Sequence, residues 1–354
     1  MFHKALWAYN WKHSKWPALL LLLIHLYYLP YDLFTRAQQQ GKQLLDRLQT
    51  GDYYYDFYFY GSMHLLIQMA AIALLACSLL GWERTMRRTD ALFSLPMPRK
   101  HIFWSKWLFG MTAVAACLLV SWASMWLVLT TTIHAQYQSF APYHTYFLYC
   151  FIVLSAVFTL FMLAGALTGG LLAQGLLGML FVSLPSLLMA LITSVMQVHM
   201  SNGEQMWKLV HPWQKAADIM SVSAPLQEFA IQYNLAVGHT LFDTSMAPVQ
   251  IDIPSPWLLS VPLLYSTVCA LLAARLYERS RQEYSAEALL FPRLRPLVLV
   301  LAFLCCGLFG GTVSGLGSMA SALSFYIGFT LFGMAGALCA ARLLHWRFPR
   351  AAKQ

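Results

Sequence analysis

Apolar stretches long enough to cross a bilayer recur along the whole chain, and this recurrence leaves few folds open. A spanning helix needs about 20 apolar residues, because every backbone N–H and C=O in hydrocarbon must be satisfied inside the protein. Eight such runs are read: Pro17–Phe34, Ser62–Gly81, Trp107–Ile133, Phe147–Thr168, Gln174–Gln197, Trp257–Tyr277, Leu297–Thr312 and Met319–Leu343. The first carries His25 and Asp32, and glycines interrupt the seventh. With 59% apolar and 10% charged residues, the composition belongs to the membrane class. The expected fold is an all-α polytopic membrane protein of about eight transmembrane helices. The Leu-rich run after Pro17 lacks a small-x-small cleavage site, so it reads as a retained helix.

Charge sets the orientation. With the N-terminus inside, the inner segments hold 18 of the 23 Lys and Arg and five of the 14 acids. Lysine and arginine collect on the cytoplasmic side, so the chain is expected to be N-in and C-in in a cell membrane. The net charge of +9 then reflects topology, not nucleic-acid binding.

Between the second and third runs lies Glu83–Lys106, a basic amphipathic segment with six cations (Arg84, Arg87, Arg88, Arg99, Lys100, Lys106) and two acids (Glu83, Asp90). Ser94-Leu-Pro-Met-Pro98 breaks it in the middle. A mere turn needs only a few polar residues. A charged, partly apolar helix-break-helix reads as a docking surface for a soluble partner, with headgroup binding at about 1 kcal/mol per cation as the plainer reading.

Residues 1–16 mix aromatic rings with lysines ahead of Pro17 and read as an interfacial helix, either an arm on a partner or a plain anchor. Residues 17–81 hold the first two spans around an outer loop, 35–61, whose end, DYYYDFYFY, reads as an interfacial aromatic rim. Residues 82–106 form the coupling segment, and 107–198 hold spans three to five. The outer segment 199–256 is expected to form a small extracytoplasmic cap of one or two helices broken at Pro212, with possible short strands at its end. Trp207, Val210 and Trp213 follow at three-residue steps and are expected to share a helical face. That face would touch a transported molecule or a second membrane subunit, or lie flat on the outer leaflet. Residues 257–354 hold the last three spans, a cytoplasmic loop (278–296) with a short helix near Glu283 and Glu287, and the tail. The glycines at 165–178 and 307–317 read as close helix packing.

The seven cysteines all fall in apolar runs and read as small buried hydrophobes. Gly41-Lys42 is the one Gly-Lys pair, and no phosphate loop surrounds it. The 11 histidines are scattered without metal-ligand spacing. Intramembrane ionisable residues, which proton or ion relays use, are nearly missing. No catalytic, cofactor or metal site is expected in this chain, and its energy must come from a partner.

Two stretches resemble the permease subunits of ABC-2 type transporters, particularly the Gram-positive Ytr permeases of the acetoin-utilisation operon. The first is Gly81-Trp-Glu-Arg84 followed by Leu92-Phe-Ser-Leu-Pro-Met-Pro-Arg99-Lys-His-Ile-Phe-Trp-Ser-Lys106. The second is Tyr277-Glu-Arg-Ser-Arg-Gln-Glu283-Tyr-Ser-Ala-Glu287-Ala-Leu-Leu-Phe291, ending Leu294-Arg-Pro296, with Ser285-Ala286 at the family's Ala-Gly step. The resemblance implies a cytoplasmic ABC ATPase, with ATP and Mg held there, whose groove receives Glu83–Lys106. Leu92, Phe93 and Leu95 would fill the groove. Arg87, Arg88, Arg99 and Lys100 would pair with acids at its rim, and Glu83 and Arg84 belong to the same coupling set. A second permease, itself or a paralogue, and membrane lipid are the other expected partners. The expected function is an ATP-driven permease, more an exporter than an importer, of a lipid, peptide or amphipathic compound. The alternative is a subunit that transmits force or senses without moving substrate.

Overall fold

The computed structural model describes residues 4–47, 52–86, 92–94, 96–199, 203–238, 249–280, 289–315 and 322–345. In chain order its elements are α1 (Lys4–Leu26), a π-helical turn (Tyr27–Tyr31), α2 (Asp32–Arg47), β1 (Asp52–Tyr60), α3 (Leu65–Leu79) and α4 (Gly81–Thr85). Next come α5 (Arg99–Thr131), α6 (His134–Tyr137), α7 (Ala141–Leu167), α8 (Leu171–His199), α9 (Gly203–Met220) and α10 (Ala224–Gln227). The remainder is β2 (Ala230–Gly238), β3 (Val249–Asp252), α11 (Ser260–Arg279), α12 (Arg295–Gly315) and α13 (Ala322–His345). The protein is an all-α polytopic membrane protein with a small sheet added.

Seven described helices are long and apolar enough to cross a membrane, against the eight expected. The exception is the second, where α3 has 15 residues, a rise of about 22 Å against a hydrocarbon core of about 30 Å. The expected separate N-terminal arm is not separate either. Helix α1 runs through Pro17 without a break, and its buried stripe of Leu6, Asn10, Ser14, Ala18, Leu21 and His25 follows the three-to-four spacing of one helical face. A π-helical turn containing Pro30, a residue with no N–H to donate, passes it on to α2. The continuous helix Lys4–Asp46 has 43 residues. At 1.5 Å per residue it is roughly twice the thickness of the hydrocarbon core, so one end must project beyond it.

Contacts divide the chain into two compact units. The first comprises Met1–Ala76, Trp104–Thr159 and Val222–Val268. In it α1 packs along α5: Asn10 Nδ2 donates to Ser105 Oγ at 3.3 Å, Cys117 Sγ donates to Ala18 O at 3.7 Å, and Trp7 meets Phe109 edge-on. The expected aromatic rim is a β-strand. β1 pairs antiparallel with β2 over its whole length, Asp52 opposite Gly238 through Tyr60 opposite Ala230, and β2 pairs with β3, giving the order β1-β2-β3. Tyr55 and Phe57 are buried while Tyr58 and Tyr60 are exposed, the period-two alternation of a strand with one covered face. A polar chain holds that face. Tyr143 Oη donates to Gln138 Oε1 at 2.9 Å, Gln138 Nε2 donates to Tyr55 Oη, and Tyr55 Oη lies 2.5 Å from His134 Nδ1. His134 Nε2 is 3.1 Å from Leu33 O. A carbonyl only accepts, so Nε2 carries the proton and Nδ1 accepts from Tyr55.

The second unit comprises Cys77–Phe103, Leu160–Ser221 and Cys269–Gln354. Here α12 and α13 approach through small residues, as the glycine spacing predicts. A Cβ on Gly310 would lie 2.3 Å from Phe332 Cβ and 2.7 Å from Gly328 O, so only hydrogen fits. Helix α9 runs through Pro212 as one helix, where a break was expected. Of the cap sequence only α9 belongs to this unit; α10 and β2 and β3, where short strands were expected, belong to the first. The cysteines form no disulfide.

Candidate coupling elbow

Helix α3 ends at Leu80, whose backbone (φ −122°, ψ −55°) leaves the helical region, and the chain restarts as α4. Gly81 makes the restart feasible. A Cβ there would lie 2.6 Å from Gln174 Oε1 and 2.8 Å from Leu171 Cα, so α4 can press on the first turn of α8 only without a side chain. Thr85 Oγ1 accepts from the Leu171 N–H at 3.1 Å and donates to Gly81 O at 2.8 Å. The first N–H groups of a helix have no intrahelical acceptor, and Thr85 supplies one from another helix. Gln174 Nε2 donates to Phe161 O at 3.0 Å and closes the same corner.

Arg84 crosses to the other side of this corner. Its Nη1 donates to Gly165 O and Thr168 O, at the end of α7. Those carbonyls belong to a helix C-terminus, where acceptors outnumber donors and a cation is favoured by the macrodipole. The guanidinium also stands over the Tyr277 ring at 5.5 Å. Burial lowers the Arg84 pKa, while Tyr277 and the adjacent Glu83 oppose that fall; an arginine keeps its charge nonetheless. The end of the second predicted inner loop reaches the same turn: Leu290 N–H donates to Leu167 O at 3.0 Å, and Leu289 bridges Thr168. Leucines and phenylalanines of α7, α8 and α11 seal the corner around Ala164, Leu167 and Leu177.

The expected docking residues divide. Glu83 and Arg84 are 2% and 3% exposed and Leu92 is buried, so these three turn into the chain instead of toward a partner. Arg99 is half-buried; its Nη1 donates to Ser280 O at 2.8 Å and its guanidinium stacks on Phe93 at 4.5 Å. Phe93 in turn meets the buried Tyr277 edge-on. Lys100 is exposed. Arg87, Arg88 and Leu95 lie outside the described residues, as does the expected helix near Glu283 and Glu287. Sequence reasoning missed Thr85 and Gln174 and gave Tyr277 no role of its own, although Gly165, one of the glycines that make room for Gln174, was visible as a packing signal.

In α9, Val210 is 2% exposed, whereas Trp207 and Trp213 are 55% and 64% exposed. Steps of three residues drift by about 60° each on a helix of 3.6 residues per turn, so the two tryptophans flank Val210 rather than share its side. A separate cleft of about 360 Å³ opens between α5 and α7, lined by Leu118, Leu119, Phe147 and Phe151. At one end Trp122 Nε1 donates to His144 Nδ1 at 3.0 Å. Among the described residues no group of His, Cys, Asp or Glu converges that could hold a metal ion.

Over 246 residues, 67% of this chain and 67% of the other, the sequence is 28% identical to a Bacillus subtilis (strain 168) protein named "Probable ABC transporter permease YtrC". The chain resembles a Ytr-type ABC transporter permease. Neither a protein-family model nor a solved structure matches it. The Ytr-type likeness and the seven helices fit for spanning together make this a multi-pass cell-membrane protein.

Proposed function

We infer that this chain is the permease subunit of an ATP-driven transporter, coupled to a separate cytoplasmic ABC ATPase and paired with a second permease. The observation that carries this reading is the likeness, over two thirds of the chain, to a protein named as an ABC transporter permease. The elbow supports it mechanically. A displacement of 83–99 by a partner has a short route into the spans: Arg84 holds the end of α7, Thr85 holds the start of α8, and Arg99 holds the end of α11. The cations that meet the ATPase in this reading are Arg87, Arg88 and the exposed Lys100, with Arg99 reserved for its internal bond. The transported compound is amphipathic, a lipid or peptide exported from the membrane. The apolar cleft between α5 and α7, with a polar pair at one end only, is compatible with such a molecule.

Charge reversal tests the docking face. Replacing Arg87, Arg88 and Lys100 by glutamate, with Arg99 left in place, should abolish co-purification of the ATPase while the permease still inserts and stays monodisperse. Full ATPase stoichiometry with the reversed permease would remove the docking assignment.

A further inference from the structure

The two edges of the small sheet are treated differently. On the β1 side, Arg36 Nη1 donates to Tyr58 O at 2.9 Å and Gln40 Nε2 donates to Asp56 O. Two side chains of α2 thus occupy two neighbouring outward carbonyls in the second half of that edge. On the β3 side, Val249, Gln250, Ile251 and Asp252 are all exposed, and Val249, Ile251 and Ile253 are 42%, 38% and 44% exposed. A bare apolar edge strand is a template for pairing with another chain, and proteins normally blunt it. Among the described residues one edge is partly blunted and the other is not.

The hydrogen-bond phase follows from the covered edge. Because the carbonyls of Asp56 and Tyr58 point away from β2, the odd-numbered residues of β1 face β2. Their partners are odd-numbered too, Tyr55 with Leu235 and Phe57 with Tyr233, and the Gly61 N–H to Phe229 O bond continues the phase. Gln232 and Ala230 therefore face β3 and exchange bonds with Gln250 and Asp252. What remains outward on β3 is the N–H and C=O of Val249 and Ile251.

We propose that β3 is a dimerisation strand, pairing antiparallel with β3 of a second copy of this chain about a two-fold axis at Ile251, so that two three-stranded sheets join into one of six strands. Antiparallel bonding pairs residues of the same phase, so the axis must fall on a residue, and at Ile251 it falls on a hydrogen-bonded pair of outward residues. With the axis at Ile251, Ile251 meets Ile251 of the partner subunit, Val249 meets Ile253, and Gln250 meets Asp252. Every apolar side chain faces another, and the single acid of the strand faces an amide it already binds within the chain, Gln250 Nε2 to Asp252 Oδ2 at 2.8 Å. No like charges oppose. One open edge per chain also limits the assembly to two copies, because self-pairing uses up both edges. The second permease of the proposed transporter gives this contact its setting; its geometry does not depend on that reading.

Cross-linking tests it. In a chain with its seven cysteines replaced, Ile251→Cys should give mostly disulfide-linked dimer on mild oxidation of membranes, since opposed residues in such a pair have Cα atoms about 5.5 Å apart. Tyr60→Cys, on the covered strand, should stay monomeric. Ile251→Pro removes the N–H that bonds at the axis but none used within the chain, and should lower the dimer fraction in mild detergent at least tenfold without loss of protease resistance. Monomeric Ile251→Cys, whether it reacts freely with a maleimide or is shielded by another segment, would overturn the proposal, as would an unchanged dimer in Ile251→Pro. ATPase co-purification is scored on the same samples. A cross-linked dimer that captures no ATPase counts against the permease reading alone, and a monomer that captures it counts against the strand alone.

Discussion

Arg84 illustrates how one side chain changes meaning between sequence and structure. In sequence it is one of six cations in a basic segment and reads as a docking residue. In the folded chain it is buried, donates to two carbonyls at the end of α7, and lies over Tyr277. Composition shows that a charge is present but not which way it points. Replacing Arg84 by alanine strands both carbonyls and should lower stability by roughly 1–3 kcal/mol. Arg84→Lys keeps the charge but loses the planar fork, and should recover part of that loss. Thermal unfolding of the detergent-solubilised chain measures both. The ATPase should still co-purify with Arg84→Ala while its stimulation by the permease falls. Release of the ATPase at unchanged stability would place Arg84 at the partner instead.

At the scale of elements, the strands were the least legible part. A period-two alternation is present in DYYYDFYFY, but every position is aromatic or acidic, so the pattern carries little contrast and matches an interfacial rim as well as a strand. Pairing with β2, about 180 residues away, decides it. The sheet is then held by the polar chain from Tyr143 to Leu33, which joins α2, β1, α6 and α7 through His134. Burial, assisted by the nearby Arg36 charge, pushes the His134 pKa down to about 4, against the opposing effect of the Leu33 carbonyl. A histidine held neutral in the folded state stabilises it fully above its unfolded pKa of about 6.5, and that contribution is lost as pH falls toward 4. By linkage the loss approaches about 3 kcal/mol. Melting temperature recorded between pH 7.5 and 4.5 should fall accordingly, and His134→Gln should flatten this part of the curve. An equally steep fall in His134→Gln would assign the dependence to another group.

For the whole molecule, seven membrane-length helices and the shorter α3 stand where eight spans were expected; the second run is shorter than a span, and the first is part of a helix of 43 residues. Hydrophobic length is a local property, since the bilayer requires each segment to satisfy its own backbone. Single cysteines at Gly41 and Asn202, in a cysteine-free background, should react with an impermeant thiol reagent outside intact cells, whereas one at Ser285 should not. Gly41 has open space around it, so that substitution is unobstructed. Labelling at Ser285 from outside would reverse the orientation and place the elbow away from any cytoplasmic ATPase. The sequence alone determined the membrane class, the number of apolar helices, the break at Ser94–Pro98 and the small-residue contacts of α12 and α13. All of these depend on neighbours within a few turns. Only tertiary structure decided that Arg84 faces inward, that the two cap tryptophans flank Val210, and that an aromatic stretch is a strand with one edge covered and the other open. Those outcomes depend on carbonyls, helices and strands brought together from distant parts of the chain, which local hydrophobicity and charge do not encode.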